Sequence, residues 1–150
     1  MKALKFLVAL TVLLSFSCSS DDDSGAPSNN ELILGKWQWT ASTSDGTPVE
    51  LDECELQDTL EFKADGEVTS VSHNGVISIE DGTLECVASA TVDAEYTIDG
   101  NVITVELGTS SNEGTIVTLN ATTLTVSYTY EDNDGGEVTT VVDTDTYTKI

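Results

Sequence analysis

The side chains of this chain that could do covalent or acid-base chemistry are three cysteines, one histidine and 27 aspartates and glutamates, set against five bases that are all lysine. A nucleophilic thiol needs a lowered pKa and a nearby imidazole. Cys54 sits among Asp52, Glu53 and Glu55, whose charges raise a thiol pKa, and His73 is the sole imidazole. The same histidine is the one candidate proton carrier for a serine triad; beside the turn-forming Asn74-Gly75, it reads as an exposed loop histidine. A zinc centre of histidines and cysteines fails for lack of ligands. Two-carboxylate glycoside chemistry asks for a cleft holding two acids about 5 to 10 Å apart, one with a raised pKa, and no pair stands out among 27. Residues 131–137, Glu-Asp-Asn-Asp-Gly-Gly-Glu, gather oxygen ligands around two glycines without the spacing of an EF-hand loop. They read as a charged hairpin turn, with a weak surface calcium site as the alternative. The reading is of a protein that is not an enzyme, with no catalytic residue, metal or cofactor marked out.

Charge narrows the partners. The formal net charge is -22 over 150 residues, with no arginine to grip a phosphate. Such a chain repels nucleic acid and anionic headgroups. The length fits one domain with a single core.

The N-terminus reads as an address. Lys2 and Lys5 precede an apolar run, residues 6–14, broken only by Thr11 and followed by Ser15, Phe16, Ser17 and Cys18. The run is too short to span about 30 Å of hydrocarbon and reads as a secretory signal peptide. The pattern resembles bacterial lipoprotein signals, in which a small residue precedes a cysteine that is diacylated and becomes the new N-terminus; Phe16 is bulkier than is usual there. The resemblance implies a signal peptide over residues 1–17, lipid attachment at Cys18, and a membrane anchor through that lipid. Residues 18–32, with Asp21-Asp22-Asp23 and then Gly25 and Pro27, read as a flexible acidic tether. The acidic run resembles export signals to the outer face of the Gram-negative outer membrane. With Cys18 lipidated in an oxidising compartment, Cys54 and Cys86 remain as an even pair, and a Cys54–Cys86 disulfide is expected. Closing its loop is worth roughly 3 to 4 kcal/mol on the chain-entropy model.

From Leu34 onward threonine, valine and serine dominate and apolar residues recur at period two, so the domain is expected to be all-β. The first strand, residues 35–43, places Trp37, Trp39 and Ala41 on one face. Residues 44–55 read as a loop; 56–63 and 67–72 flank the hairpin turn Ala64-Asp65-Gly66. Residues 74–86 are ambiguous. The clearest alternation runs over 89–98, followed by strands at 101–107, 115–119 and 123–130. A Gly/Ser-rich loop begins at Gly108, and a loop at 132–136 precedes a last strand over 137–148. About eight strands joined by short turns suit an up-and-down antiparallel barrel, with an open sandwich as the alternative.

Leu34-Gly35-Lys36-Trp37 at the opening of that meander is similar to the Gly-x-Trp signature of lipocalins. Cys54, Asp58, Phe62 and Asp65-Gly66, with the later Cys86, extend the likeness, and the whole resembles the lipocalin-like domain of small bacterial outer-membrane lipoproteins over residues 33–150. The resemblance implies an eight-stranded barrel closed at one end by Gly35 and Trp37, with Cys54 bridged to Cys86. It departs from the family where many lipocalins stack a late arginine over the tryptophan; here Lys149 is the one late cation able to cover Trp37. The fold alone licenses binding of a small apolar molecule as an expectation. Trp39, Phe62, Tyr96 and Tyr128 are in phase with the core and are the candidate pocket residues, with plain core packing as the alternative. The expected partners are a small hydrophobic ligand, the membrane through the lipid, and envelope proteins if the barrel is filled and the outer surface does the work; the expected location is the outer membrane.

Overall fold

The computed structural model describes residues 26–134 and 137–150. The signal peptide, Cys18 and the Asp21–Asp23 run lie outside the described residues, as do Gly135 and Gly136.

The period-two alternation becomes one antiparallel sheet that closes on itself. Its strands are β1 (Gly35–Ser44), β2 (Thr47–Val49), β3 (Thr59–Phe62), β4 (Glu67–Ile77), β5 (Leu84–Asp99), β6 (Val102–Leu107), β7 (Ser110–Leu119), β8 (Thr123–Asp134) and β9 (Glu137–Lys149). From β3 to β9 each strand pairs with the next, and β1 pairs with both β3 and β9. Trp37 lies opposite Leu60 on one side and Lys149 on the other, so eight strands form a closed barrel. Closure removes the free edges that an open meander would expose. The short β2 folds back on the far end of β1, pairing Ser42 with Val49.

Alternation sends one face of every strand inward. Trp37, Phe62, Val68, Tyr96, Ile103, Ile116, Leu124, Val126 and Tyr147 form a buried cluster together with Ile33. The Cys54–Cys86 disulfide, with its Cα atoms 5.1 Å apart, ties a single 3-10 turn at Glu55–Gln57 to the β4–β5 hairpin.

Several local expectations give way to the tertiary structure. Ala41 is not in phase with Trp37 and Trp39: a bulge between Trp39 and Ala41 shifts the register, so that Ser42, not Ala41, lies opposite Asp145. The extra residue in a bulge reverses the facing of all that follows. The ambiguous stretch is strand at both ends, since β4 runs on to Ile77 and β5 begins at Leu84, with residues 78–83 as the connection. Beyond the disulfide this hairpin is a long arm on which Ile77, Ile79 and Leu84 are exposed. The Gly/Ser-rich loop after Gly108 is likewise the start of β7, paired with β6 from Ser110. Residues 132–134, read as a loop, belong to β8, with Asp132 opposite Thr139. His73 is not in an exposed loop. It lies partly buried in β4, its backbone N–H donating to Asp58 Oδ1 at 2.6 Å and its Nδ1 3.3 Å from the same oxygen. Asn29–Leu32, read as the end of the tether, form one helical turn (α1).

Candidate functional site

The barrel has two unlike ends. At the end where β1 begins and β9 finishes, α1 is held by a capping box: the Ser28 backbone and side chain both donate to Glu31, 2.8 and 2.9 Å away, and these bonds hold the Glu31 carboxyl below its usual range. Ile33 and Trp37 are fully buried beneath the turn, and Trp37 Nε1 donates to the Ile33 carbonyl at 2.6 Å. Lys149 Nζ donates to the Leu32 carbonyl at 3.1 Å and lies 4.8 Å from the centroid of the Trp37 ring. A cation over an indole face contributes about 0.5 to 2 kcal/mol. Gly35 makes room for it: its φ is +113°, and a Cβ there would come within 3.0 Å of Lys149 Cε. This end is a plug made of the chain's own side chains.

Above the plug the interior is hollow. A cavity of about 840 Å³ is lined by Leu60 and Phe62 from β3, Val68 and Ser70 from β4, Val92 and Ala94 from β5, Ile103, Val105 and Leu107 from β6, Ser111, Asn112 and Glu113 from β7, and Leu124, Val126, Tyr128, Thr129 and Tyr130 from β8, with Tyr147 from β9. Such a volume lies within the range of small-molecule sites, as does a mostly apolar lining with a few polar groups. It exists because several inward positions carry small residues. At Gly114 on β7 a Cβ would meet Val126 Cγ1 at 2.6 Å and Tyr128 Cε1 at 2.8 Å, so glycine there lets the Tyr128 ring lie against the wall. A smaller hollow of about 170 Å³ is lined by Trp39, Asp58, Thr59 and Asp145, and shares Leu60, Ser70 and Tyr147 with the main cavity.

The four candidate pocket residues separate. Phe62 and Tyr128 line the main cavity and Trp39 lines the smaller hollow. Tyr96 lines neither: it packs edge-on against Phe62 with centroids 5.0 Å apart, and its hydroxyl donates to the Lys63 carbonyl at 3.0 Å. It is a core residue anchored at the turn between β3 and β4.

The polar groups of the lumen were not singled out by sequence reading. Asp143, Asp145 and Tyr147 alternate inward along β9, opposite Tyr128, Val126 and Leu124 of β8. Trp39 Nε1 donates to Asp145 Oδ1 at 3.2 Å, and the Tyr130 hydroxyl donates to Asp143 Oδ2 at 2.9 Å. Asp143 Oδ1 is buried with no hydrogen-bond partner among the described residues. Burial pushes the Asp145 carboxyl up, against the lowering effect of Ser42 and Trp39 and with help from the Asp143 charge. Burial, seconded by Asp145, pushes the Tyr128 hydroxyl up to about 12 and, with Tyr128 and two aspartates nearby, raises Tyr147 as well. The signal was present in the period-two run Val141, Asp143, Asp145, Tyr147, where two acids occupy the phase of the buried tyrosine. Among the described residues no group of three or more His, Cys, Asp and Glu side chains is arranged to hold a metal.

The family model described as a lipocalin-like domain matches residues 33–126, from the buried Ile33 through β8 as far as Val126. No curated protein matches. Solved structures similar to the chain include an odorant-binding protein from bovine nasal mucosa, at 22% identity and a TM-score of 0.44, covering 83% of this chain and 76% of that one. Another is the bovine lipocalin allergen Bos d 2, at 17% identity and a TM-score of 0.42, covering 82% and 76%.

Proposed function

Since the chain belongs to the lipocalin-like domain family, we propose that it is a lipid-anchored outer-membrane lipoprotein whose barrel binds or carries a small, largely apolar molecule. The observation that carries the reading is the cavity of about 840 Å³: a core whose only task is stability fills its interior at close packing, whereas here small inward residues leave room for a drug-sized molecule. Lys2, Lys5, the apolar run and Cys18 supply the anchor in this reading, with residues from Ser19 as spacer. The reading is of a carrier and not an enzyme.

The test is native mass spectrometry of the protein purified from its own envelope, followed by extraction of whatever leaves on denaturation. A stoichiometric apolar molecule is the expected result. A barrel that comes out empty and also excludes the neutral dye Nile red would end the carrier reading. A second reading, an envelope interaction protein working through its outer surface, is favoured by one feature: the apolar arm formed by Ile77, Ile79 and Leu84. The anchor is checked separately, since Cys18→Ser is expected to abolish incorporation of a fatty-acid probe.

A further inference from the structure

The smaller hollow has a chemistry unlike the main cavity. Two aromatic side chains, Trp39 and Tyr147, and two carboxylates, Asp58 and Asp145, line one space of about 170 Å³. That is room for about five or six water-sized groups. Through Leu60, Ser70 and Tyr147 it adjoins the large apolar cavity. Further along the same inward face of β9 stands Asp143, with one buried oxygen that has no partner among the described residues.

No lysine of the domain answers these charges. Lys149 is engaged at the plug with Leu32 and Trp37, Lys63 pairs with Glu67, and Lys36 is exposed on β1 opposite Glu61 of β3. Asp145 accepts hydrogen bonds from Trp39 and Ser42, and Asp58 Oδ1 accepts from the His73 backbone N–H and lies 3.3 Å from His73 Nδ1. Carboxylates taken out of water without a cation are costly, and a cation that enters recovers much of that cost. Flanking aromatic rings add cation-π attraction, strongest where water is excluded. A chain with a net charge of -22 raises the local concentration of cations and repels anions. An anionic amphiphile such as a fatty acid would meet Asp58, Asp143 and Asp145 with no facing lysine, and like-charge juxtaposition opposes it.

On the reading that the barrel binds a ligand, we propose that this ligand is a cationic amphiphile: a small ammonium-type head seated between Trp39, Tyr147, Asp58 and Asp145, with its apolar tail in the main cavity. The acidic hollow sets the head, and the cavity of Leu60, Val105 and Tyr128 sets the tail. The carrier is then selective by charge as well as by hydrophobicity.

Three probes of equal chain length separate the possibilities: octylammonium, octanol and octanoate, titrated calorimetrically into the purified full chain at pH 7. Octylammonium is expected to bind at least tenfold tighter than octanol, and octanoate the weakest of the three. Asp145→Asn is expected to cut octylammonium affinity at least fivefold more than octanol affinity, with a thermal melt confirming that the variant folds. Because the three-probe comparison on the unaltered protein needs no variant, an unfolded variant leaves the test intact. If octanol and Nile red bind and octylammonium has no advantage, the charge selectivity is wrong and the carrier reading stands. If Asp145→Asn weakens both probes equally, the carboxylate does not set the head. If none of the three binds and Nile red is excluded, both fall together.

Discussion

The plugged end and the hollow half of this barrel are built on the same strands with the same alternation, yet one is solid and the other is not. At the plug, Trp37 and Ile33, the residue after α1, are fully buried under Lys149, in one cluster with Phe62, Leu124 and Tyr147, whose other side lines the cavity. Along the hollow half the inward positions carry Ser70, Ala94 and Gly114, and then Asp143 and Asp145. Eight strands enclose a space just wide enough for side chains to fill or for one small ligand to occupy, so the size of the inward side chain decides between the two. Close packing is concentrated at one end and open volume at the other.

Breaking the plug should have the largest effect. Trp37→Ala removes a fully buried indole, its hydrogen bond to Ile33 and the surface under Lys149. The expected loss is about 3 to 5 kcal/mol in urea unfolding; a loss under about 1 kcal/mol would show that the plug does not hold the barrel together. Next comes the covalent tie. Replacing Cys54 and Cys86 by serine opens a loop of sequence separation 32 and is expected to cost roughly 3 kcal/mol. Uptake of Nile red should survive, because the bridge fastens the 3-10 turn to the β4–β5 arm and neither cysteine lines the cavity.

Smaller changes sharpen the contrast from the hollow side. Gly114→Ala drives a methyl into Val126 and Tyr128. Overpacking of this kind costs about 1 to 3 kcal/mol, and because Tyr128 must move into the cavity, dye affinity should fall with stability; lost stability with full affinity would mean that the wall yields outward. The smallest effect is at Asp145. Its folded pKa lies above the unfolded value near 3.8, so the native state holds the proton more tightly and stability falls as pH rises through the window that starts there. Asp145→Asn removes that titration. The ligand-free variant is expected to be slightly more stable than the parent at pH 7, by less than about 1 kcal/mol, with the gain vanishing at pH 3; calorimetric melts at the two pH values measure it. A stabilised variant that binds cations less well would place function and stability in opposition at this residue.

Legibility in the sequence follows the range of the interaction concerned. Alternation along 89–98 and 123–130 is a local property, visible because each residue's facing depends on its neighbours alone. The plug was legible because Gly35-Lys36-Trp37 resembles the lipocalin signature and Lys149 is the one late cation able to cover Trp37. The bulge after Trp39 was not, because it is set by pairing with β9 about a hundred residues away, and it turned Ala41 outward and Ser42 in. The arm of β4 and β5 was obscured by Asn74-Gly75, which reads as a turn but is carried through as strand, Gly75 lying opposite Cys86 beside the disulfide. The inward acids of β9 passed as solvated because an acid at period two is ordinarily on the wet face.

By itself, then, the sequence determined an acidic, arginine-free, all-β chain with paired cysteines and strand ends marked by turn residues. Composition and period suffice for that, since they act through local backbone preference and net charge. Only the tertiary structure decided that the sheet closes, that Trp39 and Asp145 meet across β1 and β9, and that the interior above Trp37 stays open. Those outcomes depend on register and on the summed volume of inward side chains from all eight strands, quantities that no single stretch of sequence contains.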